Sequence, residues 1–339
     1  YNLTAKVNSE DYILSIVVGL GGGSNAAVTG SVPVTTIKND LDAHIDSDED
    51  ILVGGDLVVE ATQNDTLIIY AGAISGSKTA AVGLSATNVI ISGQIKAYLD
   101  VKNLKANSVT ILTNKKDKFS FGSVAGSVSG SISVTGAELT ILVNTAMSSY
   151  IGDDSNLSIT KSLTIKANHE IDSTSSTGQL AGASTTAIGA GVLVYKLELS
   201  VNSYVGNNVT VLNELEGPII IVADSKNKLL FVVVGVAASG TTSVNGNAAT
   251  ILITNKVNAF VGNSSTLQTN GNMLIYANDQ QDLNADLGSA AVAGTAGINV
   301  SALVIILKSE TKSGIGDATK IIVRGNGEGI SYNGKTYTG

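Results

Sequence analysis

The chain has no cysteine and no tryptophan, two prolines, two histidines and one arginine among 339 residues. Without cysteine there is no disulfide framework and no thiolate to act as nucleophile or metal ligand. The histidines, His44 and His169, are far apart and not separated by a whole number of the repeats described below. A shared metal site or a Ser-His-Asp arrangement therefore has little support, and both read as exposed polar residues. The single arginine, Arg324, lies near the end of the chain, so no basic groove is available for an acidic polysaccharide. Acids outnumber bases 28 to 20, which disfavours nucleic acid, a ligand that selects a basic stripe. No apolar run reaches the roughly 18 residues of a membrane helix. The most apolar segment, 228–240, is short and broken by glycine. No leader segment is recognisable, and a start at Tyr1 reads as an internal or mature part of a longer chain.

What is present is β-branched and small. Hydrophobic residues make up 43% and charged ones 14%, with 37 glycines, a balance that excludes disorder and implies a core of little bulk. The stretch 257–277, VNAFVGNSSTLQTNGNMLIYA, is the clearest copy of a unit found along the whole chain. Its aromatic aligns with His44, Tyr98, Tyr150, Tyr204, Phe260 and Gly314, at spacings of 54, 52, 54, 56 and 54. The apolar series Val28, Val82, Val134, Ile188, Val244 and Ile298 repeats those spacings. The closing strands ending at Ala61, Thr113, Ala167, Ala223 and Ala277 give the series 52, 54, 56 and 54, met one copy earlier. The offset locates a two-residue deletion between Tyr98 and Thr113 and a two-residue insertion between Tyr204 and Ala223. Three agreeing markers define an array of six units, and such repeats signify solenoids, propellers or similar arrays.

Within each unit, alternation such as Ser131-Ile132-Ser133-Val134 and Leu163-Thr164-Ile165-Lys166 indicates strands, joined by Asn/Gly/Asp/Ser turns. No helical period of useful length is present. A propeller blade per unit is the rival architecture, but blades carry bulky aromatic and Trp signatures that are missing here. The expected fold is all-β, a parallel β-helix. The simplest division of a unit is two coils of about 27 residues, which predicts about twelve coils and a column about 60 Å long. Residues 1–8 form an N-terminal edge, 9–324 the array, and 325–339 a non-repeat tail or cap. Two positions stay small in every unit, those of Ala237 and Ser239, implying a face where another backbone lies close. The run 229–238 is too continuous for one solvated face and predicts cover on both sides. Val244 is expected to face inward.

No catalytic constellation emerges: no carboxylate pair of glycosidase type and no phosphate loop can be nominated. The ladder Tyr98, Tyr150, Tyr204 and Phe260 is the candidate binding stripe, with an aromatic stack bracing a corner as the plainer reading. The densest acidic run holds Asp46, Asp48 and Asp50, an oxygen-rich turn able to take Ca²⁺, or else a solvated turn. Asn and Asp at the matching turns are expected in left-handed conformations or in ladders. No cofactor is expected.

The segments 186–194 (TAIGAGVLV), 80–83 (AAVG), 203–206 (SYVG) and 163–167 (LTIKA) carry a family resemblance. The units resemble the long repeats of leukotoxin-type filamentous adhesins of fusobacteria and related giant exported proteins with β-strand repeats. The resemblance spans about 9–323 and implies a right-handed parallel β-helix, export to the cell surface or medium, and host-cell binding or cytotoxicity. The N-terminal secretion domain of that family is not in this sequence, so the route would belong to a parent chain. The expected role is a non-enzymatic shaft segment of a surface or secreted adhesin or toxin. Its partners would be a host-cell surface protein or glycan, or further copies end to end. The alternatives are a self-assembling filament or sheath, using the small-residue face as lateral contact, and a β-helical enzyme acting on polysaccharide.

Overall fold

The computed structural model describes residues 1–325 and 329–337. Among the described residues there is no helix; long extended segments are joined by short bends. Long strands form because runs of Val, Ile, Thr and Ser carry no interior proline and alternate in polarity. Each segment pairs in parallel with the one a full repeat later. Leu3 pairs with Leu57, Leu57 with Val109, Val109 with Leu163, Leu163 with Ile219 and Ile219 with Met273, which defines a first face. Val28, Val82, Val134, Ile188, Val244 and Ile298 are successive partners on a second face. A short third face joins Leu104 to Leu157, Leu157 to Val211, and Thr210 to Thr266. The molecule is a parallel β-helix whose repeat markers are literal neighbours in the ladder.

The register corrects the expected division into two coils per unit. Two coils of about 27 residues would pair residues about 27 apart, whereas every first-face and second-face partner lies a whole unit away. Strands such as Ile219–Ser239 and Thr242–Val261 run 21 and 20 residues without a turn, so one unit is consumed in one wide circuit. At about 3.3 Å per residue the coil is about 65–70 Å across, while six rungs about 4.8 Å apart rise only about 24 Å. The shape is a flat blade, not a column about 60 Å long. Both length changes lie at the wide corner, as solenoid turns allow. The register slips between Ser47 and Asp50. Between the pairs Thr210–Thr266 and Leu215–Thr269, two extra residues are absorbed around Leu212–Glu214.

The two long faces converge from this corner to a two-residue bend such as Ser184-Thr185. At the corner, Leu, Ile and Val from all three faces form the largest core, including Leu99, Leu157, Ile165 and Leu267. Mid-blade, Phe121, Tyr195 and Phe231 fill a second core. Near the bend only Ala181, Ala187 and Ala237 fit. This is the close approach that the invariantly small positions implied. Those residues face inward, so the small-residue face is not available for lateral contact. Bends of adjacent coils also press together: a Cβ at Gly130 would lie 2.0 Å from the Lys78 carbonyl oxygen.

Convergence also reverses the expected inside and outside of the narrow edge. Ser243 is fully buried, its Oγ donating to the Ala237 carbonyl at 2.6 Å. Asn245 donates to the Gly235 carbonyl at 2.7 Å. The apolar series faces out: Val28 is 74% exposed and Ile298 54%, and Val244 is half-buried rather than inward. The gap is too narrow for branched apolar side chains, and small polar ones satisfy the facing carbonyls. Likewise Val234 and Val236, at 49% and 40% exposure, leave the outer side of 229–238 uncovered.

The described part of the tail lies on the outer face of the array, not over its end. Ile330–Tyr332 and Lys335–Tyr337 form an antiparallel hairpin packed on the outer face over Val222, Leu274 and Tyr276. Its anchor is Tyr332, which donates to Asp224 at 3.1 Å. Residues 326–328 and 338–339 of the tail segment 325–339 lie outside the described residues.

Candidate functional site

The second face carries the ring ladder on its outer side, next to the wide corner. His44 stacks on Tyr98 with centroids 5.0 Å apart. Tyr98–Tyr150 and Tyr150–Tyr204 follow at 4.8 Å and Tyr204–Phe260 at 4.9 Å, the last three pairs tilted by only 2°. The coil spacing dictates this distance, and each ring hides a face of the next. Burial in the stack raises the Tyr98, Tyr150 and Tyr204 hydroxyls above their ordinary value, each carboxylate or phenolate nearby adding to the effect. All four candidate binding residues therefore stand in one line, with His44 at its start. The line stops at Gly314, the partner of Phe260 in the last coil. There a hollow of about 570 Å³ opens, with Phe260 as its aromatic wall.

At the corner itself the third to sixth coils turn through Gly152-Asp153-Asp154, Gly206-Asn207-Asn208, Gly262-Asn263-Ser264 and Gly316-Asp317-Ala318. Asp154, Asn208, Ser264 and Ala318 adopt positive φ of 55–58°. Side chains bridge successive turns: Asn207 N donates to Asp153 Oδ1 at 2.7 Å, Asn263 N to Asn207 Oδ1 at 2.9 Å, and Asp317 N to Asn263 Oδ1 at 2.7 Å. Both forms expected for these turns, left-handed residues and ladders, coexist.

The acidic run divides. Asp46 and Asp48 border a hollow shared with Asp100 and Asp153. Burial, then Asp46, Asp153 and Asp48, push the Asp100 carboxyl upward. Asp50 is drawn aside by Asn103, whose amide donates to it at 2.7 Å. Among the described residues no group of three or more His, Asp or Glu side chains is disposed to hold a metal ion.

One constellation escaped sequence reasoning. Lys115 Nζ lies 2.6 Å from both Asp65 Oδ2 and Asp117 Oδ1, and His169 Nε2 lies 3.1 Å from Asp117 Oδ2, all buried within the blade. Gln63 donates to Asp65 at 2.8 Å. His169 is thus an interior residue, not an exposed one. Burial pulls the Lys115 ammonium down, but Asp117 and Asp65 overcome this and hold it charged. Burial works against the Asp117 carboxylate too, but Lys115 and His169 keep it ionised, below its ordinary range. Burial dominates at Asp65 and raises it. The signal was available: Gln63, Lys115 and His169 are register partners, as are Asp65 and Asp117, on the inward parity of Leu67 and Phe119.

The chain matches no family model, no curated protein and no solved structure.

Proposed function

We propose that the chain is a shaft segment of a surface-exposed or secreted adhesin or toxin, presenting or forming a host-binding surface. The observation that carries this reading is stacking of like over like. Rings lie over rings and turn amides over turn carboxylates, coil after coil, which supports a stiff, extensible scaffold as the chain's work. Such a solenoid grows by adding units without altering those already present. The resemblance of its units to leukotoxin-type repeats supplies the cellular setting. The acidic surface and the long uncovered apolar edge suit a molecule that meets other surfaces. The test is antibody labelling of intact source cells beside permeabilised ones, together with binding of the fluorescently labelled protein to host cells. Labelling of intact cells and saturable host-cell binding are expected. Labelling confined to permeabilised cells would remove the reading.

A second reading, a self-assembling filament, is favoured by one observation. On the strand Ala296–Ile315 the inward residues Leu303, Ile305 and Leu307 continue core columns, yet they are 43–50% exposed because no described strand pairs beyond this one. Sedimentation at rising concentration distinguishes it: end-to-end species growing with concentration favour the filament, and a single unchanging species removes it.

A further inference from the structure

The ring ladder ends one coil early, and the last rung is empty by design of the backbone. Phe260 is the final ring and is 38% exposed. Its partner Gly314 has no side chain, and a Cβ built there meets nothing within 4 Å. The register positions beside this gap are polar. Asn258 pairs with Lys312 and Lys256 with Glu310, so an amide, an ammonium and a carboxylate stand along the rim, with Asn263 at the corner. Several are already oriented. Lys312 contacts Glu310, Asn258 Nδ2 donates to Asn202 Oδ1 at 3.0 Å, and Asn263 Oδ1 accepts from the Asp317 amide at 2.7 Å.

We propose that this slot over Gly314 binds a pyranose ring, stacked on Phe260 in the place of the missing side chain. That the slot meets glycans in its setting rests on the surface reading above; the slot and the ligand class its walls select do not. The chemistry of the walls selects the ligand class. Each interior ring of the ladder has an aromatic neighbour on both faces, but among the described residues the slot has one aromatic wall, Phe260, and its opposite side is open. A flat aromatic ligand would leave its second face wet. A pyranose offers one C–H face to Phe260 and directs its hydroxyls to the rim of Asn258, Asn263, Glu310 and Lys312, and to solvent. Both donors and acceptors are present on that rim, as hydroxyl groups require. A site with one platform and a polar rim holds a single sugar weakly, with Kd on the order of 1 mM. Useful affinity then comes from several such sites along a multivalent surface.

The experiment is a titration of the whole chain with methyl glycosides of glucose, galactose and N-acetylglucosamine, read by NMR at the Gly314 amide and the Phe260 ring. Saturable shifts with at least one glycoside are expected. Gly314→Tyr places a fifth stacked pair in the slot and should weaken binding by about tenfold or more while the ladder stays folded. Phe260→Leu removes the wall and should do the same, so a folding failure in either variant leaves the other to decide. Tyr12→Phe, exposed on the first face of the first coil and away from the ladder, should bind as the parent does. No saturable shift with any glycoside up to about 50 mM, well above the expected Kd, overturns the proposal. So does unchanged binding in the Gly314→Tyr variant, or shifts with phenol but with no glycoside. Surface labelling reports separately on the adhesin reading. A silent slot on a labelled surface removes only the site, and a binding slot on an unlabelled surface removes only the setting.

Discussion

At the scale of single residues, position in the register governs more than residue type. Ala318 occupies the left-handed turn site held by Asp154, Asn208 and Ser264 in other coils, at φ 55°. An alanine there pays for a Cβ in a crowded conformation, and Ala318→Gly should stabilise the protein by about 0.5–1 kcal/mol in denaturant unfolding. The Asn and Asp members of this series were legible because those side chains tolerate such turns; Ala318 is recognisable only by alignment with them. His169 shows the opposite error. Taken singly it reads as a surface residue, yet its parity on the strand places it inside, beside Asp117. That network is unequal in its parts. Asp117 is held by Lys115 and His169, and Asp65 by Lys115 and Gln63 with burial still raising it, so Asp117→Asn should cost about 3–5 kcal/mol, as for one partner of a buried pair, and Asp65→Asn clearly less. The signs with pH follow. Asp117 titrates below its ordinary value of 3.8 in the fold, so its contribution is present above that value and is lost as pH falls through the depressed folded value. Asp65 is raised, so protonation relieves a cost and acts in the opposite sense. Acid unfolding should therefore lose part of its steepness at low pH in Asp117→Asn and gain it in Asp65→Asn. Equal costs for the two substitutions would mean that the two carboxylates share the Lys115 charge alike.

At the scale of the strand, period-2 patterning located the strands and their registers but not which parity faces inward near the bend. The default that apolar residues are interior holds at the wide corner, where Leu163 and Ile165 are fully buried. It fails at the narrow edge, because two backbones only a small side chain apart have carbonyls to satisfy and no volume for valine. Volume and hydrogen bonding depend on the distance between faces, which one strand's sequence does not encode. Substitutions separate the two cases. Ser243→Asp inserts a charge into a closed gap and should cost about 3 kcal/mol or more. Val244→Asp, one residue on and half-exposed, should cost about 1 kcal/mol. Thermal unfolding of the pair checks this, and the reverse order would return Val244 to the interior.

At the scale of the whole molecule, the repeat length was readable and the number of coils per repeat was not. A period fixes which residues are equivalent, but one wide circuit and two narrow ones share the same period. The choice was made by strand length: segments such as Ile219–Ser239 have no turn residues at the half-way point to close a narrower coil. The consequence is measurable because the chain has no native cysteine, so two introduced thiols can be spin-labelled without background. Lys96, Ser148, Asn202, Asn258 and Lys312 are successive partners on the outer side of the second face. With one coil per unit, four steps of about 4.8 Å separate Lys96 from Lys312, about 19 Å in all. With two coils per unit the separation would be about 38 Å. Labels at Lys96→Cys and Lys312→Cys should give a dipolar distance distribution centred nearer the first value once linker length is included. Moving the first label to Asp42→Cys, the partner of Lys96 on the first coil, should lengthen it by roughly one further step. Distances near the larger value would restore the slender column, and with it the picture of a rod in place of a blade.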